Sequence, residues 1–219
     1  KELVEISNAY GVPILEDDPY GQLRYEGEHL PPVVVFDDEI RAKEVPVYSG
    51  NVIYTSTFSK ILAPGLRLAW VVAPVDVIKK LVQAKQGSDL HTSTLTQFIA
   101  YQISNSPWMK THIQTIRRVY KERRDVMLQT LEEYMPEGVN WTKPKGGLFL
   151  WVTLPENCDT TEMFNKAVAA KVAYVPGESF FPLGGGKNTM RLNFSYSKPE
   201  TIHEGIKRLA KMLKDNIRC

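Results

Sequence analysis

Three short apolar runs near the amino end constrain this chain more than any other feature. Residues 12–15, 52–54 and 66–73 are each too short for a helix, and turn-forming residues bound them. Helical patterns alternate with them. Leu3, Val4 and Ile6 lead to Tyr10, with Gly11 and Pro13 as a stop. Val77, Ile78, Leu81 and Val82 recur at helical spacing within residues 75–85, and residues 92–103 read as a further helix. Strands interleaved with helices predict an α/β unit with a mostly parallel sheet. The first run reads as a buried strand closed by Glu16-Asp17-Asp18-Pro19. Open α/β sheets carry their sites at that carboxyl edge. Residues 26–50 read as loop, given Pro31-Pro32, Asp37-Asp38 and Gly50.

The second half has a different rhythm. Ser106-Pro107 opens a helical pattern that runs to about residue 135, where Ser106 can cap and Pro107 suits the first turn. It carries Arg117, Arg118, Lys121, Arg123 and Arg124. A solvated helix face is the expected reading of that basic run, and a nucleic-acid contact the alternative. Strands are expected at 139–141, 146–152, 172–175 and 190–194, and helices at 161–171 and 199–217. The division predicted is residues 1–105 and a smaller α+β unit, 106–219, that begins on the long helix.

Composition excludes several classes. With 219 residues, 27 Lys plus Arg against 25 Asp plus Glu, and net charge +2, the chain has no polybasic arm or acidic tail. Cys158 and Cys219 have no zinc spacing and are too few for a disulfide scaffold, so a reducing, cytoplasmic setting is expected. His29, His91, His112 and His203 show no metal spacing, and no metal is expected. No apolar run approaches the ~20 residues of a membrane span. The first residue is Lys1, and residues 1–10 read as the middle of a fold, so a longer native protein is expected and targeting stays open.

Chemistry concentrates in Thr57-Phe58-Ser59-Lys60-Ile61-Leu62-Ala63-Pro64-Gly65-Leu66-Arg67. Two hydroxyls and a guanidinium can surround a phosphate. A lysine among cationic and donor groups is a candidate Schiff-base former. The plain alternative is a surface lysine beside a structural turn. Residues 16–21 read equally as an Asx turn at a strand end. Arg191, inside the apolar run Met190-Arg191-Leu192-Asn193-Phe194, is costly unless paired, so either a ligand or a buried salt bridge should meet it. Gly184-Gly185-Gly186 precedes a strand rather than a helix, which favours a flexible loop over a phosphate cradle.

The string at residues 57–67 resembles the pyridoxal-phosphate lysine motif of class I/II aminotransferases, a fold type I family. Its wording looks most like the aminoadipate and kynurenine aminotransferase branch. The resemblance implies that Lys60 forms the Schiff base with the cofactor, and that Thr57, Ser59 and Arg67 hold its phosphate. Glu16-Asp17-Asp18-Pro19-Tyr20-Gly21 resembles the family's Asp-x-x-Tyr element, which implies Asp17 at the pyridine nitrogen and Tyr20 at the ring hydroxyl; Asp18 is the rival if the register slips. Arg191 would grip the substrate α-carboxylate. Lys143-Pro144-Lys145-Gly146-Gly147-Leu148-Phe149 resembles a segment near the substrate, with Gly147 in contact.

The likeness spans residues 1 to about 217 but only the carboxyl-terminal half of the family pattern, so the remaining half and a partner subunit of a homodimer should complete the site. The implied reaction is transamination between an amino acid (2-aminoadipate, aromatic or branched-chain) and a 2-oxo acid, 2-oxoglutarate being expected. A carbon–sulfur β-lyase on the same site and the effector domain of a transcriptional regulator are the rivals. Residues 1–219 show no DNA-binding module.

Overall fold

The computed structural model describes residues 1–41 and 47–217. Residues 42–46, within the expected 26–50 loop, and Cys219 lie outside the described residues. The chain divides into two compact units, Lys1–Ile116 and Arg117–Cys219, and the division falls inside one long helix.

In the first unit, α1 (Glu2–Tyr10) stops at Gly11, whose left-handed φ of 62° lets its N–H return to the Ser7 carbonyl. The strand β1 (Ile14–Asp17) pairs in parallel with β2 (Val52–Thr57). β3 (Ala69–Val72) joins β2 antiparallel, giving the order β1-β2-β3. The expected strand at 12–15 therefore starts later, after Pro13, which has no N–H to give a ladder. It is not buried either, for Leu15 is 69% exposed. Its position at the sheet edge explains this. The helices α3 (Val75–Ser88) and α4 (Thr94–Ser104) follow β3, close to their expected spans.

The expected loop at 26–50 contains a helix, α2 (Val33–Arg41). Pro31-Pro32 reads as a break but precedes the first turn, where proline is tolerated. Glu16 accepts the Val33 N–H at 2.8 Å, so β1 supplies a carboxylate to the helix start. Asp37, read as a loop residue, is fully buried and accepts from Tyr48 Oη at 2.7 Å and Asn51 N at 2.6 Å. A Cβ on Gly50 would lie 2.0 Å from that carboxylate. The network fixes where β2 begins.

The second unit holds most of α5 (Pro107–Tyr134) and the antiparallel sheet β4-β5-β7-β6. Its strands are β4 (Asn140–Trp141), β5 (Phe149–Thr153), β6 (Val175–Pro176) and β7 (Thr189–Asn193). The helices α6 (Thr160–Ala169) and α7 (Pro199–Asn216) complete it. On α7, Ile202, Ile206, Leu209, Ala210 and Leu213 recur at helical spacing and are buried. The sheet residues Leu150, Val152, Met190, Leu192 and Phe194 are buried as well. Asp159 caps α6 through the N–H groups of Thr161 (2.9 Å) and Glu162 (3.2 Å). Ser106 donates to the Ile103 carbonyl at 2.7 Å, back toward α4. Among the described residues, no helix is long and apolar enough to cross a membrane.

The basic run on α5 departs from expectation. Arg118 is exposed, but Arg124 is buried and Arg123 half-buried. Their guanidinium groups reach loop carbonyls of the same unit, which a solvated stripe would not do.

Candidate active site

Parallel register places Asp17 opposite Thr55 on β2, and alternate residues of a strand share a face. Asp17, Thr55 and Thr57 therefore line one side of the sheet. The Thr55 hydroxyl donates to Asp17 Oδ1 at 3.2 Å. Asp18 is engaged differently. Its backbone N–H bonds the Thr55 carbonyl at 2.9 Å, and its carboxylate accepts from Tyr54 Oη at 3.3 Å. Burial, with the nearby Asp18 and Glu16 charges, pushes the Tyr54 hydroxyl up despite an opposing hydrogen bond with Ser56. The Asp18 carboxylate also lies where a Gly21 side chain would be, 2.2 Å from that Cβ position. Tyr20 precedes a short 3₁₀ turn, Gly21–Leu23, anchored by buried Leu23.

β2 ends at Thr57, and the chain turns sharply. Thr57 Oγ1 accepts the Ser59 N–H at 3.0 Å and lies 3.0 Å from both Ser59 Oγ and the Leu68 carbonyl. The N–H groups of Leu62 and Ala63 converge on the Phe58 carbonyl at 2.8 and 3.1 Å. That closes one helical turn around Ser59, Lys60 and Ile61. Buried Ile61 anchors it, and Lys60 is half-buried. Among the described residues Lys60 makes no hydrogen bond or ion pair. A second tight turn, Pro64–Leu66, ends at Arg67 in the left-handed region, φ 51°. A non-glycine residue there costs about 1 kcal/mol or more. Arg67 Nη1 bonds the Pro64 carbonyl at 3.1 Å, so its own turn tethers it. The first unit thus carries Asp17, Tyr20, Thr57, Ser59, Lys60 and Arg67.

The second unit carries Gly147 and Arg191. Arg191 lies on β7 between Trp151 of β5 and Val175 of β6. Its guanidinium carbon is 4.1 Å from the Phe149 ring centre and 4.8 Å from that of Phe180. Its Nε is buried without a partner. Among the described residues Arg191 has no carboxylate partner, so the buried salt bridge weighed as an alternative is not formed. Aromatic faces hold the cation while its hydrogen-bonding demand stays unmet. Gly147, φ 78°, makes the turn that brings Phe149 into place. Phe180 lies in Val175-Pro176-Gly177-Glu178-Ser179-Phe180-Phe181, which resembles a strand-and-turn segment of the family near the cleft; the sequence points to that neighbourhood without singling out Phe180 as the partner of Arg191.

A family model described as aminotransferase class I and II matches residues 1–209. Aromatic-amino-acid aminotransferase 1 of Thermococcus litoralis is 51% identical over 218 residues, 100% of this chain and 50% of that protein. The crystal structure of a Pyrococcus horikoshii kynurenine aminotransferase, in complex with PMP, with KYN as substrates and KYA as products, is 46% identical. It covers 100% of this chain and 52% of its own, with a TM-score of 0.91. An HTH-type transcriptional regulator of Bacillus subtilis, YisV, is 33% identical over 96% of this chain and 41% of the regulator. The chain spans about half the length of the curated relatives it matches.

Proposed function

This chain belongs to the aminotransferase class I and II family, and from that premise we propose that it forms part of a homodimeric, pyridoxal-phosphate-dependent aminotransferase. The single observation that carries the reading is Lys60, an amine without a partner among the described residues, on a turn between paired hydroxyls and Arg67. The donor set suits the cofactor. Thr57, Ser59 and Arg67 offer hydroxyls and a guanidinium to a phosphate, and Lys60 offers an amine to an aldehyde. Asp17 offers a carboxylate to a pyridine nitrogen. Asp18 is the weaker candidate, because its carboxylate already accepts the Tyr54 hydroxyl and lies close against Gly21.

Bound pyridoxal phosphate supplies an electron sink for the charge that develops at the substrate α-carbon. The protein's own groups do the rest. Lys60 Nζ would hold the cofactor's aldehyde carbon at rest and, when free, would take the substrate α-carbon proton as a base and deliver it as an acid to the cofactor carbon. The Asp17 carboxylate keeps the ring nitrogen protonated. Arg191, stacked between Phe149 and Phe180, takes the substrate α-carboxylate on its free donor edge. That carboxylate is common to all amino acids, so Arg191 does not choose among them. An aromatic donor with 2-oxoglutarate as acceptor is the proposed pair, and the likeness to aromatic and kynurenine aminotransferases supports the donor.

The test is borohydride reduction of the full-length protein with its cofactor, peptide mapping, and turnover with aromatic, 2-aminoadipate and branched-chain donors. A phosphopyridoxyl adduct on Lys60, with fastest turnover on an aromatic donor, is expected. An adduct on another lysine, or none, overturns the reading. The likeness to an HTH-type regulator favours one second reading, an effector domain. It predicts the same adduct with no turnover on any donor.

A further inference from the structure

Arg123 and Arg124, consecutive on α5, both end on backbone carbonyls of the second unit. The Arg124 side chain is 4% exposed. Its Nε lies 2.9 Å from Asp125 Oδ1, and its Nη1 donates to the Pro144 carbonyl at 2.7 Å. Asp125 is itself held by Lys121 Nζ at 2.6 Å. The guanidinium is thus oriented from behind by a carboxylate and spends its front edge on a loop. That loop, residues 144–148, leads through Gly147 into β5 and Phe149. Arg123 Nη1 donates to the Ser195 carbonyl, just beyond β7. Ser195 in turn is tied to Asn193 Oδ1 through its N–H (2.8 Å) and hydroxyl (3.0 Å).

The two carbonyls sit at one end of one strand pair. Phe149 is opposite Asn193, Trp151 is opposite Arg191, and the Phe194 N–H bonds the Leu148 carbonyl at 3.2 Å. The chain enters β5 and leaves β7 at that same end, and α5 grips both segments there. We propose that Arg123 and Arg124 are positioning residues that pin the end of the β5–β7 pair carrying Phe149, and so set the orientation of Arg191 toward a carboxylate. This rests on the aminotransferase reading for the identity of Arg191's ligand. The geometry requires arginine. A planar fork can satisfy Asp125 and Pro144 together, whereas a lysine ammonium on a flexible stem reaches them without a fixed orientation. Misplacing a substrate-holding group by 1 Å can cost about 10²-fold, so a second-layer clamp should show in binding.

The experiment uses the full-length protein loaded with pyridoxal phosphate and compares Arg124→Lys, Arg123→Lys and the exposed control Arg118→Lys. For Arg124→Lys, KM for both amino donor and 2-oxo acid should rise about tenfold, the effect of losing one charge-assisted bond, with kcat within about twofold. Cofactor content should not change. Amide hydrogen exchange at residues 146–149 should quicken about tenfold, a local loosening. Arg118→Lys should leave every readout unchanged. Unchanged KM overturns the proposal, whether the variant is fully stable or partly unfolded. So does unchanged exchange at 146–149. If Arg124→Lys does not fold, Arg123→Lys decides by the same readouts, with exchange read at residues 194–197. If the unsubstituted protein turns over no donor, the aminotransferase reading fails, and the exchange measurement still decides the clamp.

Discussion

Arg191 concentrates the chemistry of the second unit in one side chain. A guanidinium between two rings sits in a partly desolvated place, where a carboxylate would meet it with more than surface strength. Its Nε, buried and unpartnered, is a standing cost that a bound carboxylate would relieve. Arg191→Lys keeps the charge and loses both the planar stack and the fork. Steady-state kinetics should then show kcat/KM down by about 10²-fold, the scale of a lost bidentate pair, and by the same factor for every donor. A loss confined to some donors would instead tie Arg191 to side-chain recognition. The residues of the candidate site are legible in the sequence in unequal measure. Lys60, Thr57, Ser59 and Arg67 lie within one short stretch, residues 57–67, so their chemistry is written almost consecutively. Phe149 sits in the same short segment as Gly147. Phe180 meets Arg191 only through the β6–β7 pairing, and Arg124 meets Pro144 across a helix-to-loop contact. Neither contact leaves a local pattern.

Elements were read well where one periodicity ruled and poorly where burial was decided at a distance. α7 and α5 announce themselves through apolar spacing. α2 does not, because Asp37 faces inward against Tyr48 and Asn51. A buried aspartate in a helix reads as a loop residue until its partners are known. The expected strand at 172–175 shrinks to Val175–Pro176 because Tyr174 serves another purpose. Its hydroxyl donates to the Thr160 carbonyl at 2.6 Å, and the Thr160 hydroxyl bonds the Thr189 carbonyl at 2.7 Å, stapling α6 to β7. Burial, with Asp159 nearby, pushes the Tyr174 hydroxyl up to about 12. A folded value above the unfolded value of about 10 means that the native state holds the proton more tightly. The staple therefore contributes fully below pH 10 and is lost as pH rises from 10 through 12. Comparing denaturant midpoints of the unsubstituted protein with Tyr174→Phe should give a constant gap up to pH 10 that closes by pH 12. A gap unchanged at pH 12 would mean that the hydroxyl is not held this way.

At the scale of the molecule the two units differ in how completely they bury their apolar residues. The second has a closed core between its sheet and α7, with Leu150, Val152, Met190, Leu192, Leu209 and Leu213 all nearly inaccessible. The first has a three-stranded sheet whose outer strands, β1 and β3, pair on one side only among the described residues. Leu15, Val71 and Val72 are exposed on those strands, as are Leu81 and Val82 on α3 and Leu95 and Phe98 on α4. The sequence places the boundary at residues 105/106, where the pattern of α5 opens, and the two compact units divide at Ile116 and Arg117, inside that helix. Open strand edges and uncovered apolar faces recruit partners, and backbone amides at such edges open easily. Amide hydrogen exchange on the 219-residue polypeptide should therefore grade by unit. The β5, β7 and α7 amides should exchange slowest, and those of β1 and β3 at least about tenfold faster, as expected of locally opening edges. In a full-length protein of the relatives' size, the β1 and β3 amides should slow to the level of β5 and β7. Equal protection of both units in the 219-residue polypeptide would show that the first unit is already complete as it stands. The half-length match to the relatives would then say nothing about what covers its sheet.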